Sequence, residues 1–331
     1  MDVQRQRVLV TGGAGRLGLR VCRALLDLGF RVMVFDLPTR RNRKRLVGFG
    51  SGLSIHWGDI TDAEAVRRAL QQAQAVVHMA GLLPPITDDD PELAQRINVE
   101  GTRILVELIG RAEGRIPLVY TSSIAVFGAT PEAMEPIAVE RNPVNPQEAY
   151  ARTKVEAENL IREGGIEYTI LRLAPAFELD SSALRLMFRL PLENRLEFCH
   201  PDDVAQAVAN AVCRFPAVKG RTLIIAGGPG QRIRYRDLLG GALGALRLPL
   251  PPEERFSRRP YCVDWYDTRE AQELLEFQSR SLGDFIRDLQ ADLARRLGRP
   301  VLWLTQRLIG PVFGKLVVRL LASRYGSRER Y

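Results

Sequence analysis

The stretch RVLVTGGAGRLG, Arg7–Gly18, decides the reading of the chain; apolar residues at helical spacing (Leu17, Val21, Leu25, Leu28) follow it, and then RVMVFD, Arg31–Asp36. An apolar run, a glycine-rich turn, an amphipathic segment and a second apolar run spell a β-α-β unit. Glycine lets the turn tighten and brings backbone N–H groups close to an anion, which the N-terminus of the next helix then faces. The same glycines would suit a merely flexible turn, but their place between strand and helix favours dinucleotide binding. Gly12, Gly15, Arg16, Leu17 and Gly18 are the candidate pyrophosphate contacts.

Working outward, short apolar runs recur at 53–56, 75–80, 117–121, 168–173 and 222–226. Helical patterning fills most of the gaps, at about 62–73, 91–112, 147–164, 202–214 and 268–276. Such alternation predicts an α/β fold, a Rossmann-type doubly wound parallel sheet covered on both faces. Loops rich in Pro and Gly fall at 128–146 and 227–232, and no repeat or low-complexity linker interrupts the chain. The expected organisation is a nucleotide-binding core over 1–175, to which 199–227 returns. Excursions over 176–198 and 228–298 supply a small substrate lobe and closing helices, and 299–331 form a basic amphipathic tail.

With 331 residues, 46% of them hydrophobic, the chain buries a sizeable core without disulfide or metal staples. Its four cysteines, Cys22, Cys199, Cys213 and Cys262, show no metal-ligand spacing, so no metal is expected and a reducing compartment fits. MDVQRQR leads directly into VLVTGG with no apolar signal core, and a cytoplasmic protein is expected. Net charge is +8, but residues 295–331 hold nine Lys/Arg against one acid, which leaves 38 of each elsewhere. Nucleic-acid binding is therefore not expected; attraction to anions belongs to the tail and to the loop Arg40-Arg41-Asn42-Arg43-Lys44-Arg45. Apolar periodicity over 301–324 suits peripheral membrane contact as well as docking on the body or on a second copy in a homodimer.

Asp36 closes the second strand, where a carboxylate accepts hydrogen bonds from ribose hydroxyls and repels a 2′-phosphate. NAD is the expected cofactor; the basic loop and Arg16 keep NADP as the alternative. Asp59, with its neighbour Ile60, is a candidate adenine contact, whereas Asp62 reads as a helix N-cap. Tyr150 and Lys154 stand four residues apart on a predicted helix, hence one turn apart on one face. A cation there can lower a phenol's pKa, which suits general acid–base work on an alcohol or ketone. Ser122-Ser123 follow the strand Leu118–Thr121 at its carboxyl end, where a hydroxyl can steady a developing alkoxide.

At this point the sequence resembles the short-chain dehydrogenase/reductase superfamily, in its extended branch of NAD-dependent epimerases/dehydratases and 3β-hydroxysteroid dehydrogenases. The features that carry the resemblance run in family order: the glycine run at 11–18, Asp36, Gly58-Asp59, His78-Met79-Ala80-Gly81, Asn98, the Thr121–Gly128 stretch, Tyr150 with Lys154, and His200-Pro201-Asp202-Asp203. It implies that Ser123 is the catalytic hydroxyl, Tyr150 the acid/base, and Lys154 the lysine that holds the cofactor ribose and lowers the phenol pKa. Ala80 and Gly81 would lie along the cofactor, and Asn98 would order the helix before the site. His78 and His200 read as structural, the latter as a turn residue ahead of a helix capped by Asp202.

The chain departs from the nucleotide-sugar members of that branch in its short excursion between Leu171-Arg172 and His200, and in Ala174-Pro175-Ala176-Phe177 where an Asn is usual. Leu184, Leu186, Met187, Phe188, Leu190 and Leu192 in that excursion suit a hydrophobic pocket wall as well as ordinary packing. The leading expectation is hydride transfer between nicotinamide and a hydrophobic secondary alcohol or ketone. A nucleotide-sugar epimerase/dehydratase with retained NAD and a non-catalytic dinucleotide sensor are the alternatives.

Overall fold

Strands buried on both faces need apolar residues at nearly every position, and β1 (Arg7–Thr11), β2 (Arg31–Asp36) and β4 (Ala75–His78) have them. In the computed structural model, which describes residues 6–130, 135–175, 186–245 and 247–297, these join β3 (Leu53–Trp57), β5 (Leu118–Ser123), β6 (Tyr168–Leu173) and β8 (Thr222–Ile225). The seven form one parallel sheet in the order β3-β2-β1-β4-β5-β6-β8. A separate antiparallel pair, β7 (Arg195–Glu197) with β9 (Arg232–Arg234), ties the first excursion to the second.

Alternation along each strand sends side chains into two cores. Val8, Val10, Val32 and Val34 pack with α1 (Arg16–Asp27) and α8 (Pro201–Cys213). Leu9, Met33, Val76, Leu118 and Tyr120 pack with α3 (Ala63–Leu70), α6 (Gly101–Gly110) and α7 (Ala149–Glu163) on the opposite face. The order reverses between β1 and β4, so their carboxyl ends open the crevice where such sheets take ligands.

Three expectations need correction. The basic run is not a loop but a one-and-a-half-turn helix, α2 (Arg40–Arg45), because the Thr39 hydroxyl caps it by accepting from the Asn42 N–H. The helix expected over 91–112 is broken into α5 (Pro91–Ala94), a π-type turn over Gln95–Glu100, and α6. Asn98 lies in that turn and leaves the helical pattern to serve Leu82 and Thr153, as π-turns near sites commonly do. The cap of α8 is His200, whose Nδ1 accepts from the Asp202 N–H at 3.1 Å, and not Asp202. Asp203, beside it, is turned inward to accept from Ser279 and Arg280. Asp62 caps α3 as expected, accepting from Glu64 and Ala65.

A buried polar chain pins the crevice. Thr102 Oγ1 donates to the Asn98 carbonyl at 2.6 Å and therefore accepts from His78 Nε2 at 2.9 Å. His78 Nδ1 in turn accepts from Thr11 Oγ1 at 2.7 Å, and that oxygen accepts from the Met79 and Ala80 N–H groups. Burial pushes the ring's pKa down to about 3, with Lys154 adding repulsion. Because the unfolded ring titrates near 6.5, the unfolded chain takes up this proton first, and stability falls as pH drops from about 6.5 toward 3. His78 thus removes about 2 kcal/mol between pH 7 and pH 5, a loss that His78→Gln should lack when urea midpoints are compared at the two pH values.

Candidate functional site

The glycine turn after β1 is held by contact and not by looseness. Gly12 has φ +71°, and a Cβ there would meet the Ala80 backbone N at 2.8 Å; a Cβ on Gly18 would stand 2.4 Å from the Gly12 carbonyl oxygen. The turns after β1 and β4 therefore touch at the mouth of the crevice. Gly15 is the N-cap of α1; no side chain caps that helix and its first turn carries no acid, which leaves a positive end at the crevice. Arg16 and Leu17 open the helix, Leu17 leaning on the core.

Asp36 ends β2 beside this turn. Its carboxylate accepts from the Ala14 N–H at 2.9 Å, the Leu37 N–H at 2.8 Å and Asn42 Nδ2 at 3.0 Å. Burial pushes its pKa up, and these bonds with the Arg45 charge oppose the rise. Asp59 lies past β3 and accepts from the Thr61 N–H and hydroxyl. Ile60 is buried against Gly101, so its side chain belongs to the core. Gly81 follows Ala80 in the crevice, and a Cβ on it would lie 3.9 Å from Lys154 Nζ.

The structure brings Ser123, Tyr150 and Lys154 together. Ser123 ends β5, and its hydroxyl accepts from the Ala125 N–H at 3.2 Å and lies close enough to the Tyr150 phenol to act on its pKa. Ser122, its neighbour, is buried and donates to Glu158 instead, two turns along α7 from the phenol. Lys154 Nζ donates to the Thr121 carbonyl at 2.9 Å and stands 4.8 Å from the Tyr120 ring centroid and 5.9 Å from that of Tyr150. Burial pushes the Tyr150 phenol up to about 12 although Ser123 opposes the rise, and pushes the Lys154 ammonium down to about 8 against the pull of Glu158. Desolvation thus moves the phenol in the direction opposite to the lowering expected from the sequence.

Ala125, Ala151, Cys262 and Tyr261 pack around Tyr150. Nearby, a hollow of about 30 Å³ is lined by Gly128, Gln147, Glu148, Tyr261 and Cys262 among others. Glu148 has its pKa raised by burial and by Asp88, with Arg189 opposing; Arg189 and Asp88 form an ion pair. A larger hollow of about 330 Å³ lies at the β8 edge between Ala138–Arg141 and Asp267–Glu273, and none of the three chemical residues lines it. The spacing of apolar residues gave no sign of Glu148, Tyr261 or Cys262 at the site. Glu158 was visible as a third member of the four-residue step from Tyr150 and Lys154.

Among the described residues of the apolar excursion, the buried side chains pack in the core rather than wall a pocket. Met187, Phe188, Leu190 and Leu192 are buried in the main core, Phe188 against Phe256 at 5.0 Å, and Tyr235 donates to the Met187 carbonyl. Leu184 and the tail over 301–324 lie outside the described residues. Among those described, no helix is long and apolar enough to cross a membrane.

Comparison with known proteins agrees with this geometry. Residues 8–177 match the model of the NAD dependent epimerase/dehydratase family. Over 166 residues the chain is 37% identical to UDP-glucose 4-epimerase 4 of Oryza sativa, a match covering 47% of this chain and 44% of that protein. It is 29% identical over 178 residues to D-erythronate dehydrogenase of Cupriavidus necator, covering 50% and 54%. It is 33% identical over 163 residues to 3 beta-hydroxysteroid dehydrogenase type 7 of Rattus norvegicus, covering 47% of each. The chain thus spans about half the length of the curated relatives it matches. In fold it is similar to a UDP-glucuronic acid 4-epimerase from Bacillus cereus, with a TM-score of 0.74 and 19% identity over 88% of this chain and 100% of the other. With half of its length matched by the family model, and with the glycine turn and the Tyr150/Lys154 helix inside the matched region, the chain belongs to the NAD dependent epimerase/dehydratase family.

Proposed function

We propose that the chain is an NAD-dependent oxidoreductase acting on a secondary alcohol or ketone, with Tyr150 as the acid/base. The observation that carries this reading is the convergence of Ser123, at the end of β5, with the Tyr150 phenol, one helical turn from a buried ammonium. The crevice fits the cofactor: the uncapped positive end of α1 suits a pyrophosphate, the Asp36 carboxylate suits ribose hydroxyls, and glycine at position 81 leaves backbone open beside Lys154. When bound there, a nicotinamide dinucleotide supplies the two-electron acceptor or donor.

Each residue then has a defined task. The Tyr150 phenol, whose pKa burial raises, gives its proton to a carbonyl oxygen in reduction and recovers it from a hydroxyl in oxidation. Ser123 Oγ donates to the same substrate oxygen and holds it in line with the phenol. Lys154 binds a ribose hydroxyl and brings its charge close enough to favour the tyrosinate during oxidation. The apolar contacts of Ala125, Ala151 and Cys262 keep water from the phenol.

A second reading is supported by the polar set Glu148, Asp88 and Arg189 beside Tyr261, which packs with Tyr150, and by the likeness to UDP-glucose 4-epimerases. In that reading the same proton transfers run forward and back, the cofactor stays bound, and the product is an epimerised or dehydrated sugar nucleotide. Mass analysis of nucleotide released on denaturing the purified protein separates the two. Retained NAD with conversion of UDP-glucose and no net NADH marks the second; reversible NAD binding with NADH formed from D-erythronate or a 3β-hydroxysteroid marks the first.

Under either reading, Tyr150→Phe should cut turnover by about a hundredfold to ten-thousandfold with cofactor affinity nearly unchanged. Turnover near the wild-type rate would remove Tyr150 from the role. Asp36→Ala should lower the preference for NADH over NADPH in fluorescence titrations by about tenfold or more, and an unchanged ratio would place the ribose elsewhere.

A further inference from the structure

One face of α7 does more than carry Tyr150 and Lys154. Tyr150, Lys154, Glu158 and Arg162 follow at four-residue steps, and the middle two grip two consecutive residues at the end of β5. Ser122 Oγ donates to Glu158 at 2.6 Å and Lys154 donates to the Thr121 carbonyl at 2.9 Å, while the Tyr150 phenol lies near Ser123, the next residue. Glu158 has no exposed surface, yet it is fully engaged. Its oxygens accept from Arg172 Nε and Nη2 at 3.0 and 2.8 Å, from Arg162 Nη2 at 2.8 Å, and from Ser122. Burial alone would raise its pKa, but the Arg172 bonds and charge, helped by Ser122 and Arg162, hold the carboxyl below its ordinary value. A buried carboxylate kept ionised one turn from a buried ammonium has no task in the proton transfers described above.

We propose that Glu158 is a positioning residue that keeps the Lys154 ammonium charged and in place in the cofactor crevice, with Arg172 and Arg162 setting how strongly it does so. The inference rests on the reading that Lys154 holds the cofactor ribose. Every element packed on Lys154 supports the assignment. From β5 it meets the Tyr120 ring and the Thr121 carbonyl, from α7 the un-ionised Tyr150 phenol, and from β4 the neutral His78. Asn98, beyond Gly81, is uncharged, and among the described residues Glu158 is the carboxylate whose charge acts on the ammonium. Removing Glu158 would leave Arg172 and Arg162 facing Lys154 and drive it toward the neutral amine; removing Arg162 would strengthen the pull of Glu158 and do the opposite.

The test is NADH binding by the full chain, followed by tryptophan-to-NADH energy transfer from about pH 6 to about pH 10. Wild type should lose affinity in an alkaline limb, and Lys154→Met should abolish that limb. Glu158→Gln should move the limb down by about one pH unit with binding at the acid end intact; Glu158→Asp should restore it in part. Arg162→Gln lies at a partly exposed position where folding is not at risk, and should move the limb upward. Opposite displacements by the two substitutions are the expected result, and a merely structural role would not produce them. A limb that stays at the wild-type position in Arg162→Gln, or in folded Glu158→Gln, overturns the role of Glu158 while leaving the cofactor reading intact. A wild type without NADH binding, or a limb that survives Lys154→Met, overturns the ribose reading itself and the inference with it.

Discussion

An ammonium buried beneath a parallel sheet is the constraint on which the rest of this molecule depends. Lys154 is 5% exposed, and such a group must be paired, hydrogen-bonded or discharged. Its hydrogen bond to the Thr121 carbonyl takes an acceptor near the end of β5, just past the point where pairing with β4 ends at His78–Tyr120 and shortly before the chain turns into the short 3₁₀ helix Ile124–Phe127. The next turns of α7 must then sit against the same strand end, which brings Tyr150 to Ser123 and Glu158 to Ser122. The geometry at the phenol and the electrostatics at the ammonium are therefore two results of one docking of helix on strand.

The cost of that docking is carried one turn further along α7. Glu158 and Arg172 are both buried, and breaking such a pair by removing one member typically costs about 3–5 kcal/mol. Arg172 comes from β6, and its guanidinium lies 4.8 Å from the Phe127 ring centroid, so the neighbouring strand and the 3₁₀ turn are drawn into the same unit. The polar chain Thr11–His78–Thr102–Asn98 does the equivalent work at β1 and β4. Asn98 links the two systems through Thr153 on α7. Each chain satisfies its buried donors and acceptors, which is what permits so much polarity near the crevice.

Much of this was legible in the sequence because its physics is local. The apolar runs placed the parallel strands to within a few residues, and β6 begins and ends where its apolar run does. The glycine turn, Asp36, and the four-residue step from Tyr150 to Lys154 are short-range patterns whose geometry follows from helix and strand repeats alone. What failed was set by partners distant in sequence. The π-type turn at 95–100 depends on Leu82 and Thr153, the cap of α8 depends on how His200 is turned, and the split of Ser122 from Ser123 depends on Glu158. The phenol's raised pKa was illegible for the same reason, since burial is decided by Cys262 and Tyr261, more than a hundred residues away.

The substrate side follows a different rule, and it bears on what enters. The apolar side chains at 187–192 are consumed by the core, so they cannot also line the approach to Tyr150. What stands near the phenol instead is Tyr261 with Cys262, and next to them the half-buried carboxyl of Glu148 and the Asp88–Arg189 pair joining the loop after β4 to the first excursion. A wholly apolar ligand would strip water from these groups without replacing its hydrogen bonds, at a cost of about 1–3 kcal/mol for each group left unsatisfied. A ligand with hydroxyls or an anionic group would meet them with matching donors and acceptors. Within the alcohol or ketone reading we propose, these groups favour a polar substrate over the hydrophobic one expected from the sequence.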